Sequence, residues 1–171
     1  MATATVLEIV TVDSPKAAVL RRKTKAAGKV SRDVQRLIEQ MFATMHAAHG
    51  LGLAAPQVGE SVRVLVAQVE DRTVVLVNPE VLDASGEETA TEACLSIPGV
   101  VGEVPRAAAI RVRGKNRRGR RVTIDAEGLL ARVLQHEIDH LDGILFLDRV
   151  RDPETIRVIT PSDESAPPAA E

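Results

Sequence analysis

The chain has 171 residues, 44% of them hydrophobic, and carries 22 Lys and Arg against 24 Asp and Glu for a net charge of −2. That length builds one sizeable core and leaves little for a second domain, and the near-neutral balance calls for neither DNA nor an anionic membrane as principal partner. No apolar run reaches membrane-spanning length, and MATATVLEIV lacks the basic flank and long apolar stretch of a secretory signal, so a cytoplasmic protein is expected.

Residues 31–49, SRDVQRLIEQMFATMHAAH, put Val34, Leu37, Ile38, Met41, Phe42 and Met45 at helical spacing. This predicts an amphipathic N-terminal helix with Ser31 as N-cap and Gly50 as C-cap. His46 and His49 close it, where imidazolium suits the helix dipole, and neither is assigned as a ligand. GLGLAAPQ (50–57) matches the dinucleotide fingerprint GxGxxA as far as Ala55, but it follows a helix and has Pro56 where a phosphate-binding helix would start. Its glycines read as points of close approach between backbone and ligand, with a plain helix C-cap and loop as the alternative.

Two β-branched runs follow, VRVLVAQV (62–69) and RTVVLVNPEV (72–81), separated by Glu70 and Asp71, and they predict a hairpin. TEACLSIPG (91–99) reads as extended and closed by Pro98 and Gly99. AAIRVRG and RRVTIDA flank KNRRG as a second hairpin, whose basic tip within RGKNRRGRR (113–121) reads as a solvated turn in preference to an RNA contact. Residues 127–141, EGLLARVLQHEIDHL, predict a helix with Asp125 as a cap and Gly143 as a stop. On it Leu129, Val133, His136 and His140 share one stripe that faces the interior. The closing TPSDESAPPAAE is rich in Pro, Ala, Ser and acid, a composition that predicts disorder from about residue 161.

HEIDH (136–140) carries the chemistry. Two histidines one helical turn apart on one face present ring nitrogens to a single point, as a metal requires. Glu137 lies roughly 100° around the helix, beside such a metal, where it can serve as a base toward water. The alternative, a salt-bridged surface helix, is disfavoured by the apolar stripe that the histidines share. A catalytic site of this kind needs a third protein ligand and an open position. The pattern HExxHxxGxxH is followed as far as Gly143, but Phe146 stands where its third histidine belongs, so the ligand is expected upstream. Cys94 is the best candidate, the chain's single cysteine and therefore without an internal disulfide. It could otherwise be a small core hydrophobe or a nucleophile, the latter weaker because Cys94 opens no helix. With Phe42 and Phe146 the only aromatic residues apart from histidine, core and ligand pocket alike are expected to be aliphatic.

GLGLAAPQ, EACLSIPG and HEIDHLDGILFLDR, in this order and at these separations, resemble the three signature motifs of peptide deformylase in its compact bacterial form. The resemblance covers roughly residues 6 to 150, so 1–150 is expected to form one catalytic domain and 151–171 a C-terminal tail. It implies an α+β fold with antiparallel sheets packed around a central HExxH helix. The activity it implies is metal-dependent removal of the N-formyl group from the N-terminal methionine of nascent polypeptides. By position it implies Cys94, His136 and His140 as metal ligands and Glu137 as general base and then acid. The Gln57 amide and the Leu95 backbone N–H would bind the formyl oxygen, and Gly52 would lie against the substrate backbone. The implied metal is Fe²⁺, with Zn²⁺, Ni²⁺ or Co²⁺ able to substitute. Leu51, Leu129 and Val133 would line a methionine pocket, with the Ala93 carbonyl facing the extended substrate. The expected partners are N-formylmethionyl nascent peptides, with transient ribosome contact and a monomeric state. Ala93 replaces the glycine of the family's usual EGCLS, and His49 stands where relatives often carry an acid. The competing readings are a deformylase-like metal- or peptide-binding protein with weak or no turnover, and a zinc endopeptidase.

Overall fold

The computed structural model describes residues 3–160. The acidic, Pro-rich stretch expected to be disordered from residue 161 lies outside the described residues. Two α-helices and eight strands make an α+β architecture: α1 (Arg32–Ala47), β1 (Gly52–Ala54), β2 (Val64–Val69), β3 (Arg72–Ser85), β4 (Glu88–Cys94), β5 (Ile97–Arg106), β6 (Ala109–Lys115), β7 (Arg121–Glu127), α2 (Gly128–Leu141) and β8 (Arg157–Val158). Among the described residues the strands form a five-stranded sheet in the order β1-β2-β3-β6-β7 and a three-stranded sheet in the order β4-β5-β8. All pairings between named strands are antiparallel. Among the described residues no helix is long and apolar enough to cross a membrane.

The larger sheet carries a helix on each face, and β2 shows why its sequence is apolar almost throughout. Val64 and Val66 pack with Ile38, Met41 and Met45 of α1, whereas Leu65 and Ala67 pack with Val133, Leu134 and Ile138 of α2. A strand covered on both sides has no position for an alternating polar residue, so the hydrophobic run is continuous. A third cluster, Val10, Leu20, Cys94, Val104, Leu145 and Phe146, fills the space under the smaller sheet.

Local signals set most boundaries, and some differ from the sequence reading. Ser31 caps α1, its side chain accepting from Val34 N at 3.3 Å. The left-handed residue that ends α1 is His49, with φ 57°, rather than Gly50. The extended stretch 91–99 is not one strand: the chain reverses at Leu95 and Ser96, pairing Cys94 with Ile97, and Pro98 and Gly99 lie inside β5. Asp125 does not cap α2, because it sits in β7 and pairs with Arg111; the N-cap position is Glu127, without a side-chain bond. Residues 151–160, read as part of a tail, contribute a short 3₁₀ turn at Pro153–Thr155 and β8, which pairs with Val100 and Val101 of β5.

The C-terminal end of α2 is clamped by residues from far upstream. Leu141 O accepts from Thr24 N and Thr24 Oγ1, both at 2.8 Å, and from Arg63 Nη1 at 3.2 Å. Arg63 also pairs with Asp142 at 2.8 Å. The helix can then turn away because Gly143 takes φ +75°, and a Cβ there would sit 2.6 Å from Arg21 O. Gly143→Ala therefore combines backbone strain with a backbone clash. It is expected to cost about 2–3 kcal/mol and to lower Tm by roughly 4–12 °C in a thermal melt.

Candidate metal centre

Cys94 ends β4, and His136 and His140 lie one turn apart in the second half of α2. One donor atom from each falls within 4.8 Å of the other two, and all three residues are buried. Cys94 Sγ is 3.5 Å from His140 Nε2. A tetrahedral ion with bonds of about 2.0–2.3 Å separates its donors by roughly 3.3–3.8 Å, so the cluster is of the right size for one metal. One thiolate and two imidazoles form an N/S set that suits a borderline transition metal and leaves a fourth position for water or substrate. The residues fit the ion.

What surrounds His136 fixes how it can bind. Its Nδ1 lies 2.8 Å from Glu92 Oε1. An imidazole that donates from Nδ1 to a carboxylate keeps its lone pair on Nε2, the tautomer a ligand needs. Glu92 is itself fully enclosed and accepts from Arg106 Nε and Nη2 at 2.8 Å and from Arg132 Nη1 at 2.6 Å. Burial pushes its carboxyl up, but hydrogen bonds from Arg106 and His136 and the charge of Arg106 outweigh this and hold it at about 2. Burial pulls the Arg106 guanidinium down, yet Glu92 and Asp139 raise it further and keep it charged. Asp139 receives Arg106 Nη1 at 2.7 Å and Arg149 Nη2 at 2.9 Å, so the network runs on to the half-exposed Arg149. Phe146, at the position of the missing third histidine, stacks on His136 with ring centroids 6.1 Å apart and so packs beside the cluster.

The other residues singled out from the sequence fall around this cluster unevenly. Glu137 is fully buried, and a Cβ on Gly52 would lie 2.8 Å from both Glu137 Oε2 and Val133 Cγ1. Glycine at 52 thus lets β1 close onto α2. Gln57 is fully buried in the 3₁₀ turn after β1, with Oε1 accepting from Ala54 N at 2.9 Å and Nε2 donating to Ser96 Oγ at 3.2 Å. Leu95 lies in the turn beside Cys94. Leu51 is half-buried against the α2 core and Val133 is completely enclosed. Leu129 departs from expectation: it is 47% exposed in the first turn of α2, on the outer side of a turn whose Leu130 and Ala131 are already in the core. It lines a surface groove of about 550 Å³ with Val69, Arg72 and Ile110, none of which belongs to the cluster. Ala93 is half-buried in β4 and is not among the non-glycine residues with positive φ, which within the described residues are His49, Glu70 and Asn78. His46 and His49 are exposed and stand outside the cluster, His46 Nε2 lying 2.6 Å from Gln68 Oε1.

Similarity to known proteins agrees with this geometry. Residues 6–155 match the polypeptide deformylase family. The chain belongs to that family. It is 44% identical over 146 residues to a peptide deformylase of Pelotomaculum thermopropionicum, covering 85% of this chain and 92% of the relative. The peptide deformylase structure from Thermus thermophilus superposes with a TM-score of 0.82 at 45% identity, covering 88% of this chain and 89% of that one. The Thermotoga maritima enzyme gives 0.81 at 40% identity, with 86% and 99% covered. Membership and the Cys-His-His cluster together point to a metal cofactor.

Sequence reasoning missed Glu92, Arg106, Arg132 and Ser96. Strand alternation offered one signal, since Glu92 and Cys94 are two apart and share a face of β4. In this deformylase-family chain Glu92→Ala leaves Arg132 buried without its counter-ion and Arg106 with Asp139 alone. The expected cost is about 3–5 kcal/mol in chemical denaturation, with metal affinity reduced roughly 10–100-fold in a titration of metal-free protein.

Proposed function

We propose that Cys94, His136 and His140 hold one divalent metal ion and that Glu137, Gln57 and Leu95 act beside it in hydrolysis. The activity is peptide deformylation, which removes the N-formyl group from nascent polypeptides. The observation that carries the residue assignment is the convergence of three buried donors from β4 and α2, with Glu137 buried on the same helix and pressed against Gly52.

A bound metal supplies Lewis-acid polarisation of the attacking water and of the formyl oxygen. Glu137 takes the proton released by the attacking water and delivers it to the amine nitrogen as the C–N bond breaks. Its confinement between α2 and β1 fixes its carboxylate for both transfers. Gln57 Nε2 uses one hydrogen on Ser96 and offers the second to the formyl oxygen as negative charge gathers there, and the Leu95 N–H adds another donor. Val133 and Leu51 form an aliphatic wall for the methionine side chain. β4 is an edge strand of its sheet, so an extended peptide can add to it with the Ala93 carbonyl as an acceptor. A thiolate with two imidazoles accepts Fe²⁺, and also Zn²⁺, Ni²⁺ or Co²⁺. Formylmethionyl chains arise at the ribosome, which supports action in the cytoplasm on chains as they emerge.

Formate release from formyl-Met-Ala-Ser by anaerobically purified protein, with elemental analysis alongside, tests this reading. Cys94→Ala is expected to lose most bound metal, and full occupancy would remove Cys94 from the ligand set. Glu137→Gln should keep the metal while kcat falls at least roughly a hundredfold, and a wild-type rate would reassign the base.

The reading of a disabled relative depended on Ala93. Because its φ is not positive, β4 accommodates the methyl group without left-handed strain, which supports a working enzyme. Ala93→Gly is expected to change kcat/KM by less than about tenfold. A gain of several orders of magnitude would restore the non-enzymatic reading.

A further inference from the structure

Gln57 and Ser96 come from different parts of the fold, the turn after β1 and the reversal between β4 and β5, yet three hydrogen bonds tie them together. Gln57 Nε2 donates to Ser96 Oγ at 3.2 Å. The extended N-terminal segment then bridges the two backbones, with Val10 N donating to Gln57 O at 2.7 Å and Val12 N donating to Ser96 O at 2.9 Å. Both side chains are completely enclosed, and Val10 seals the assembly at 2% exposure. Water cannot substitute for a lost partner at such a position without entering the core.

We propose that Ser96 is a positioning residue for Gln57, its hydroxyl setting the plane of the Gln57 amide so that the second Nε2 hydrogen points at the reacting oxygen. This rests on the reading of Gln57 as an oxyanion donor given above. The last torsion of glutamine is soft, with broad wells, so the amide must be fixed by its partners. Ala54 N–H on Oε1 excludes the flipped orientation, in which two donors would face each other, but a single hydrogen bond leaves the amide free to rock about it. The two N–H bonds of the amide nitrogen lie in one plane about 120° apart. Holding one of them on Ser96 Oγ therefore aims the other. Val10 and Val12 supply the backing, because they keep the two turns from separating. Donors of this kind act by pointing at charge that develops in the transition state, and a displacement near 1 Å costs up to roughly a hundredfold in rate.

The expected signature of Ser96→Ala is a kcat lower by about tenfold or more, with KM within about twofold, because the donor serves the transition state more than the bound peptide. Metal content and Tm should stay near the wild-type values, and Ser96→Thr, which keeps the oxygen, should recover most of the rate. A double-mutant cycle is decisive. Gln57→Ala alone should lower kcat by roughly a hundredfold, and adding Ser96→Ala to it should cost nothing further, since the group being aimed is gone. Gln57→Ala with a wild-type kcat would overturn the assignment of Gln57 itself. A slow Gln57→Ala combined with an undisturbed Ser96→Ala, or with losses that multiply in the double variant, would overturn the role of Ser96 alone. A Ser96→Ala chain that sheds metal or unfolds would make Ser96 a structural residue and overturn the proposal as well.

Discussion

One buried carboxylate holds the candidate metal centre to the fold. Glu92 lies in β4 and accepts from Arg106 of β5 and from Arg132 and His136 of α2, so a single group joins both strands of the smaller hairpin to the helix that carries the histidines. Burying a lone carboxylate is prohibitive, and burying two guanidinium groups without a counter-ion is no better. Each is acceptable here because the others are present. The arrangement fixes β4 against α2, and with it Cys94 against His136 and His140.

The rest of the architecture brings the remaining groups to that point. α1 and α2 cover opposite faces of the five-stranded sheet, which makes β2 a rigid central element and leaves β1 at the sheet edge next to α2. β1 can approach so closely because residue 52 has no side chain, and the turn that follows it drops Gln57 into the interior. The site is therefore where an edge of one sheet, the end of an edge strand of the other and one helix meet. Its parts come from segments far apart in sequence, and the N-terminal residues Val10 and Val12 close the junction from behind.

Much of this was legible from residue pattern. The 3.6-residue period marked both helices, β-branched runs marked two hairpins, and the absence of a downstream third ligand after HEIDH directed attention to Cys94, which the structure places 3.5 Å from His140. Where sequence reading departed from the structure, local chemistry was overruled by the fold. Leu95 and Ser96 carry no turn signature and read as strand, whereas Pro98 and Gly99 carry a strong one and lie in β5. Leu129 obeyed the apolar period but faces outward in the first turn of α2, where Leu130 and Ala131 supply the core contacts. Glu92, Arg106 and Arg132 could not be distinguished from surface charges, because their burial depends on one another.

The clamp at the end of α2 bears on the order in which this protein is made. Thr24 and Leu141 are separated by 117 positions, and the bond between them closes most of the chain into a loop. During synthesis the N-terminal half of the clamp emerges first and waits, together with Cys94, for a helix that follows later in the chain. Such long-range closure slows folding, and a chain ending before His136 lacks the proposed metal site because it has the thiol but neither imidazole of the cluster. The proposed set of three donors thus exists only once the chain has been made as far as His140.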